Sequence, residues 1–352
     1  MQERKNIFGM SLAELTAVTQ ELNWPDYRAK QLARWLYLRG VSSFRDMTDL
    51  SLKMREELTA KYLIARPKLK VRQEAKNGKT AKFLLEMTDG VSVESVLMRQ
   101  PYGNSLCVST QAGCNMGCAF CASTLPGLMR NLTAGEILAQ VMYVNDMLSG
   151  EGQKVDTIVI MGSGEPLMNY DNVLAFIKLC HADYGLNMGY RHITLSTSGI
   201  VPNIYRLADE NLPVGLSISL HAPTDELRSR LMPVNRRYPL SELVKAAAHY
   251  AATTGRRVTY EYILIAGIND TESEAKKLLG LLKGQGAIVN LIPFNPVAER
   301  DFKRSSPQNQ RKFQDFLAAK GLNVTLRREM GGDIDAACGQ LRNKFLGSTE
   351  RK

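Results

Sequence analysis

The sequence predicts an α/β protein: an open or partial βα barrel, with a smaller helical and β-hairpin accessory region in front of it. Three observations carry that expectation. From about residue 104 onward, short apolar runs alternate with amphipathic helical stretches, a pattern that calls for a parallel sheet with right-handed crossover helices. Before residue 100 the order differs, with helices first and then strands broken by Asn77-Gly78 and Asp89-Gly90, both strong hairpin turns. The length of 352 residues suits about two domains of roughly 150 residues, or one large barrel. At 44% hydrophobic and 23% charged, the composition is that of an ordinary globular chain with ample apolar area for a core. No apolar run reaches the length of a membrane span, and residues Met1–Lys5 lead into a polar helix rather than an apolar signal core. A cytoplasmic protein without membrane contact is expected.

The elements follow in order. Ser11-Leu12-Ala13-Glu14 forms a capping box that opens a helix to about Asn23. Pro25 suits the first turn of a second helix, whose periodic face holds Tyr27, Gln31, Leu32, Trp35 and Leu36. A third helix covers about Leu52–Tyr62. The period then switches to strands at Leu69–Gln73, Ala81–Met87 and Val91–Met98. Barrel strands are expected at Ser105–Thr110, Thr157–Met161, His192–Ser196, Val214–Leu220, Val258–Ile265, Ile288–Pro293 and Asn323–Arg327. Helices between them cover about Thr133–Leu148, Asn172–Asp183, Pro202–Glu210, Leu240–Thr254, Glu272–Lys283 and Gln308–Lys320. The expected division is an accessory domain at 1–99, a barrel at 100–328 and a C-terminal segment at 329–352.

The formal net charge of +10 is carried by the two ends of the chain. Residues 61–82 hold eight basic side chains, Lys61, Arg66, Lys68, Lys70, Arg72, Lys76, Lys79 and Lys82, against the one acid Glu74. Such a field attracts a polyanion, nucleic acid foremost, through phosphate contacts and counterion release. A solvated hairpin with ordinary surface lysines is the plainer alternative.

Of the six cysteines, Cys107, Cys114, Cys118 and Cys121 fall within 15 residues, while Cys180 and Cys338 stand alone. Cys180 lies on an apolar helical stretch and suits a small buried hydrophobe. Cys114, Cys118 and Cys121 form a CxxxCxxC after the first barrel strand, where the chemistry of such barrels gathers. Three thiolates on a four-iron cubane leave one iron open to a substrate. A structural zinc would need a fourth ligand, and none of the four histidines lies within 50 residues of the loop. Later strand ends carry Gly162-Ser163-Gly164-Glu165-Pro166, Ser196-Thr197-Ser198-Gly199, Ser219-Leu220-His221-Ala222 and Pro293-Phe294-Asn295-Pro296. Glu165 could accept an ammonium group, and the glycines let backbone approach a ligand closely. Each of these segments is singly also an ordinary cap or turn. Together, beside a three-thiolate loop, they point to a small polar cofactor.

The CxxxCxxC loop, the GEP turn and the βα alternation resemble the radical S-adenosylmethionine (SAM) superfamily. Within it, CVSTQAGCNMGCAFC, GSGEPLMN, TLSTSG, SISLHAP, LIPFNP and DIDAACGQL resemble the RlmN family, as does PDYRAKQ near the start. One departure is Ser163, where the family commonly has Met. The resemblance implies a radical SAM partial βα barrel and a dual-specificity methyltransferase acting on carbon 2 of adenosine, in 23S rRNA (position 2503) and in tRNA (position 37). That carbon is not a nucleophile, so radical chemistry from a cofactor is required.

By the same resemblance, Cys114, Cys118 and Cys121 hold a 4Fe-4S cluster, and Gly164, Glu165, Ser196, Ser219, Leu220, His221 and Asn295 line the SAM site. Two SAM are used per turnover. One methylates Cys338 on sulfur, and the other gives a 5′-deoxyadenosyl radical that removes hydrogen from that methyl group. The methylene radical adds to carbon 2, Glu94 accepts the carbon 2 proton, and Cys107 attacks the sulfur of Cys338, leaving a transient disulfide. Without the resemblance, Cys107 and Cys338 would pass for buried structural cysteines and Glu94 for a surface residue. A flavodoxin-type or other low-potential electron donor and a monomeric state are also expected. Rival possibilities are a Cfr-type carbon 8 methyltransferase and a non-catalytic RNA-binding module with a structural metal.

Overall fold

A computed structural model describes residues 4–297, 299–327 and 341. The first helices lie where the sequence placed them, except that Pro25 precedes the second helix rather than entering its first turn and Tyr27 faces solvent. β1 (Lys5–Asn6) is followed by α1 (Leu12–Glu21), α2 (Tyr27–Ala33), a π-helical turn at Arg34–Leu38, α3 (Leu52–Lys61) and β2 (Tyr62–Leu63), which pairs in parallel with β1. The Ser11 hydroxyl accepts from Glu14 N–H while the Glu14 carboxylate accepts from Ser11 N–H, so the capping box forms. α1 stops at Glu21, short of the expected Asn23, because Asn23 turns the chain left-handed at φ 56°. Leu15, Leu32, Leu36 and Leu58 close a small core.

The strands then build one curved sheet. β3 (Lys68–Glu74), β4 (Thr80–Glu86) and β5 (Ser92–Gln100) are antiparallel, and β5 pairs antiparallel with β6 (Gly103–Cys107). A separate two-stranded ribbon follows, β7 (Gln111–Gly113) against β8 (Leu128–Asn131). From α4 (Ala134–Ser149) the chain alternates through β9 (Val155–Ile160), α5 (Tyr170–His181), β10 (Ile193–Thr197), α6 (Val201–Asp209) and β11 (Gly215–Ser219). It continues through α7 (Asp225–Leu231), α8 (Leu240–Thr254), β12 (Thr259–Leu264), α9 (Glu272–Leu282), β13 (Ile288–Pro293), α10 (Pro307–Ala319) and β14 (Asn323–Leu326). The strand order is β14-β13-β12-β11-β10-β9-β6-β5-β4-β3, with β6 and β9–β14 parallel. This is the partial βα barrel the alternation predicted, with its helices where the 3.6-residue period put them.

Three differences from expectation have physical causes. The sheet runs without a break across residue 100, since β5 and β6 share a ladder in which Val96 faces Cys107 and Met98 faces Ser105. α7 went unforeseen because seven residues, DELRSRL, hold too few apolar positions to show a period. The basic run of residues 61–82 does not all face solvent. Arg66 turns inward, with its guanidinium bonded to the carbonyls of Gly40 and Val41 and stacked 4.2 Å from the Phe8 ring centroid. Lys82 is fully buried.

The N-terminal helices dock where two backbones touch. A Cβ on Gly9 would stand 2.2 Å from Gly135 Cα, and one on Gly135 would stand 2.1 Å from Phe8 O. Among the described residues, no helix is long and apolar enough to cross a membrane.

Candidate active site

The cysteine loop hangs from the β7–β8 ribbon. Gly113, at φ 87°, lets the strands cross so closely that a Cβ would meet Gly127 O at 1.9 Å. Cys114 N–H donates to Gly127 O at 3.1 Å, and Ala119 N–H donates to Leu231 O at 2.9 Å, which ties the loop to the end of α7. Cys114 and Cys118 are buried, Cys121 is half-buried, and all three line one cavity of about 360 Å³. Burial pushes the Cys114 thiol up to about 11 and the Cys118 thiol higher still, and each is pushed further by its cysteine neighbours. A metal centre is what would draw those protons off.

Among the described residues, no three His, Cys, Asp or Glu side chains stand close enough to hold one metal ion. Thiolates on one tetrahedral zinc would lie about 3.8 Å apart. Three thiols of one short loop on a shared cavity suit an inorganic cluster that keeps one iron open.

The glycine turn after β9 forms the floor beside this loop. At Gly164, φ is 108° and a Cβ would fall 2.6 Å from Gln111 Cβ, so no other residue fits. Gln111 also fixes the next residue, its Oε1 accepting from Glu165 N–H at 2.7 Å. The Glu165 carboxylate accepts from Thr197 Oγ1 at 2.7 Å, Ser198 N–H at 2.7 Å and Leu167 N–H at 3.0 Å. Burial pushes this carboxyl up, and the donors from Ser198 and Thr197 oppose the shift. Ser163, the departure from the family pattern, places its hydroxyl 3.3 Å from that of Ser123, joining the turn to the cysteine loop.

Arg228, on α7, ties the later strand ends together. It is fully buried and donates to the carbonyls of Ser198 at 2.6 Å, Ser219 at 2.9 Å and Leu220 at 3.1 Å, and to Asn235 Oδ1 at 3.0 Å. Burial among neutral acceptors pulls it down to about 10. His221 sits above it at φ 58°. Its Nδ1 accepts from Ile263 N–H at 3.1 Å, which makes Nε2 the protonated nitrogen. Burial first, then Arg228, pushes this imidazole down to about 3, so it is a neutral donor.

The cavity is therefore lined by Gly164, Glu165, Ser196, Ser219, His221 and Asn295 on the barrel side, together with the three cysteines. Cys107, Val96, Met98 and Thr80 form the facing wall. One hydroxyl on this lining, Thr80 Oγ1, is buried without a hydrogen-bond partner among the described residues. Leu220 lies outside the lining, fully buried, with its carbonyl held by Arg228. Glu94 is buried too and is not on the lining, its carboxylate paired with Lys82 Nζ at 3.0 Å. Cys338 lies outside the described residues. Cys107 is buried on the facing wall, and Cys180 is fully buried in the core, as its apolar helix predicted. Sequence reasoning missed Arg228, Gln111 and Lys82; the capping Thr224 before DELRSR was the one available signal for the first of these.

Comparison with known proteins matches this geometry. Residues 5–64 fit the model of the ribosomal RNA large subunit methyltransferase N-terminal domain, and residues 108–279 fit that of the radical SAM superfamily. A protein of Symbiobacterium thermophilum described as "Probable dual-specificity RNA methyltransferase RlmN" is 54% identical over 342 residues, covering 97% of this chain and 92% of its own. A Bacillus subtilis protein of the same description is 50% identical, covering 97% and 94%. The chain belongs to the RlmN family. A crystal structure of a radical SAM methyltransferase from Sphaerobacter thermophilus superposes with a TM-score of 0.92 at 42% identity, covering 96% of this chain and 98% of that one.

As an RlmN-type radical SAM RNA methyltransferase, the protein is implied by its family to use a 4Fe-4S cluster and SAM. The thiol-lined cavity, the glycine that no Cβ can replace and the Thr80 hydroxyl without a partner among the described residues fit those groups.

Proposed function

We propose that this RlmN-family protein methylates carbon 2 of adenosine in 23S rRNA, at the position equivalent to 2503, and in tRNA at position 37, through an S-methylated Cys338. The observation that carries the proposal is the cavity itself, which sets the three-cysteine loop and the strand-end polar groups against a wall bearing Cys107. When bound, the cluster and two SAM per turnover supply the methyl group and a carbon-centred radical.

The chain's own residues do the rest. Cys114, Cys118 and Cys121 hold the cluster. Gly164 admits a ligand against backbone, His221 offers Nε2–H, and Ser196, Ser219 and Asn295 offer further polar atoms. Cys338 carries the methyl group on its sulfur to the target carbon. Glu94 accepts the proton released there. Cys107 then attacks the Cys338 sulfur as a thiolate, forming the S–S bond as the bond from that sulfur to the transferred carbon breaks; that carbon takes up a proton to become the methyl group, and the unpaired electron of the adduct passes back to the electron-donor chain. Low-potential electrons come from a flavodoxin-type donor. Exposed Lys68 on β3, with Lys76 and Lys79 in the turn that follows it, grips phosphates of an unpaired loop, since a base inside a helix is out of reach.

The test is nucleoside mass spectrometry on protein-free 23S rRNA incubated with anoxically reconstituted enzyme, SAM and reductant. 2-Methyladenosine is expected. 8-Methyladenosine would move the protein to the Cfr-type reaction, and no product from a protein with its full iron complement would remove this RNA as substrate. Cys338→Ala is expected to abolish methyl transfer with the cluster absorption intact.

A further inference from the structure

The accessory strands contribute more than a basic surface. Lys82 and Glu94 form a buried ion pair, with Nζ 3.0 Å from Oε2 and side chains 0% and 4% exposed. In the ladder Lys82 faces Val96, Val96 faces Cys107, and Glu94 lies one step along the same face, opposite Leu84. Directly opposed residues share a face of the sheet, so the pair stands beside the wall that carries Cys107 and Thr80. On that same face Leu84, directly opposite Glu94, is apolar and fully buried. An ion pair is a poor way to stabilise such a place, because apolar residues of similar volume commonly do as well or better.

We propose that Lys82 is a positioning residue for the proton-transfer step: by ion pairing at Oε2 it fixes the Glu94 carboxylate beside the Cys107 row. This rests on Glu94 being the proton acceptor. In that step the carbon 2–hydrogen bond breaks, its electron pair stays in the purine ring, and the proton forms an O–H bond on Glu94. Lys82 keeps its own proton throughout. Its ammonium sets where the carboxylate lies and balances its charge before the transfer.

The experiment measures 5′-deoxyadenosine and 2-methyladenosine in the same anoxic reaction of full-length, cluster-loaded enzyme with protein-free 23S rRNA. Lys82→Met is expected to leave 5′-deoxyadenosine within about two-fold of the parent while 2-methyladenosine falls about 100-fold, the scale of a misplaced general base. Glu94→Gln is expected to show the same split, and the double variant no further loss, as befits groups acting as a unit. Lys82→Arg, which keeps the charge on a differently shaped head, is expected to recover about a tenth of the product. A parallel fall of both products in Lys82→Met would make Lys82 merely structural and overturn the proposal. So would losses that multiply in the double variant. Unchanged product from Lys82→Met, with product lost from Glu94→Gln, would remove Lys82 alone. Full product from Glu94→Gln would remove the Glu94 assignment and the proposal with it.

Discussion

The parallel strands β6 and β9–β14 and the antiparallel strands β3–β5 belong to one sheet, yet they meet the cavity in different ways. On the parallel side the polar groups Glu165, Thr197, Ser198, Ser219, His221 and Asn295 sit at or just past strand ends, where the Glu165 carboxylate accepts from Thr197 and Ser198 and Arg228 donates to the carbonyls of Ser198 and Ser219. On the antiparallel side the polar groups lie within strands, at Thr80, Lys82 and Glu94, the last two paired with each other. Loops positioned by a scaffold can be rebuilt without disturbing it. A polar residue inside a strand has no such freedom, since moving it by one position sends it to the opposite face.

The largest effect expected from this contrast is at the buried cations. Arg228→Met strands three carbonyls and the Asn235 amide oxygen, and should lower unfolding free energy by about 3–5 kcal/mol. The combined Lys82→Met and Glu94→Gln change should cost less than about 1 kcal/mol. Urea unfolding of both proteins checks this, and equal losses would break the distinction between a cation that braces loops and one that serves a neighbour.

Glycines come next. Gly164→Ala adds a clash with Gln111 to a strained φ and should cost about 1–3 kcal/mol and most SAM affinity, read by calorimetric titration. Gly78, in the turn between β3 and β4, has φ 66° but nothing within 4 Å of a Cβ, so Gly78→Ala should cost about 1 kcal/mol and leave SAM binding alone.

His221 offers a pH effect confined to the barrel side. Its folded pKa of about 3 lies below the ordinary unfolded value near 6.5. The unfolded chain therefore binds a proton first as pH falls, and stability drops by about 1.4 kcal/mol per unit below pH 6.5 until pH 3. Urea midpoints at pH 7 and pH 5 should differ in the parent, and less in His221→Asn.

The smallest effect on stability belongs to the exposed turn. Lys76→Ala with Lys79→Ala should change stability by no more than about 0.5 kcal/mol. If both lysines touch phosphates, the slope of log affinity for RNA against log salt should shrink by about 0.7–0.9 per contact.

The parallel side was legible from sequence because its chemistry follows punctuation. Each strand ended in a short polar or glycine-containing segment, and six such residues proved to line one cavity with the three cysteines. The antiparallel side was legible as strands but not as chemistry. Lys82 ends a run of eight basic residues, and nothing in composition separates an inward lysine from its outward neighbours; only the register does. Arg228 was hidden in the same way, as one of two arginines in a short charged segment whose helical period was too brief to show which one turned inward.

Among the described residues the ten-stranded sheet has two edges without a partner strand, each offering backbone donors and acceptors to any other strand it meets. At one edge, β3 presents Lys68, Lys70 and Arg72 and is broken by a bulge between Leu69 and Val71. Charge and irregularity of this kind are how natural sheets discourage pairing with copies of themselves. Lys68, proposed above as a phosphate contact, thus also belongs to a guard against aggregation. A variant that trades them for apolar residues to weaken RNA binding would risk joining these molecules edge to edge.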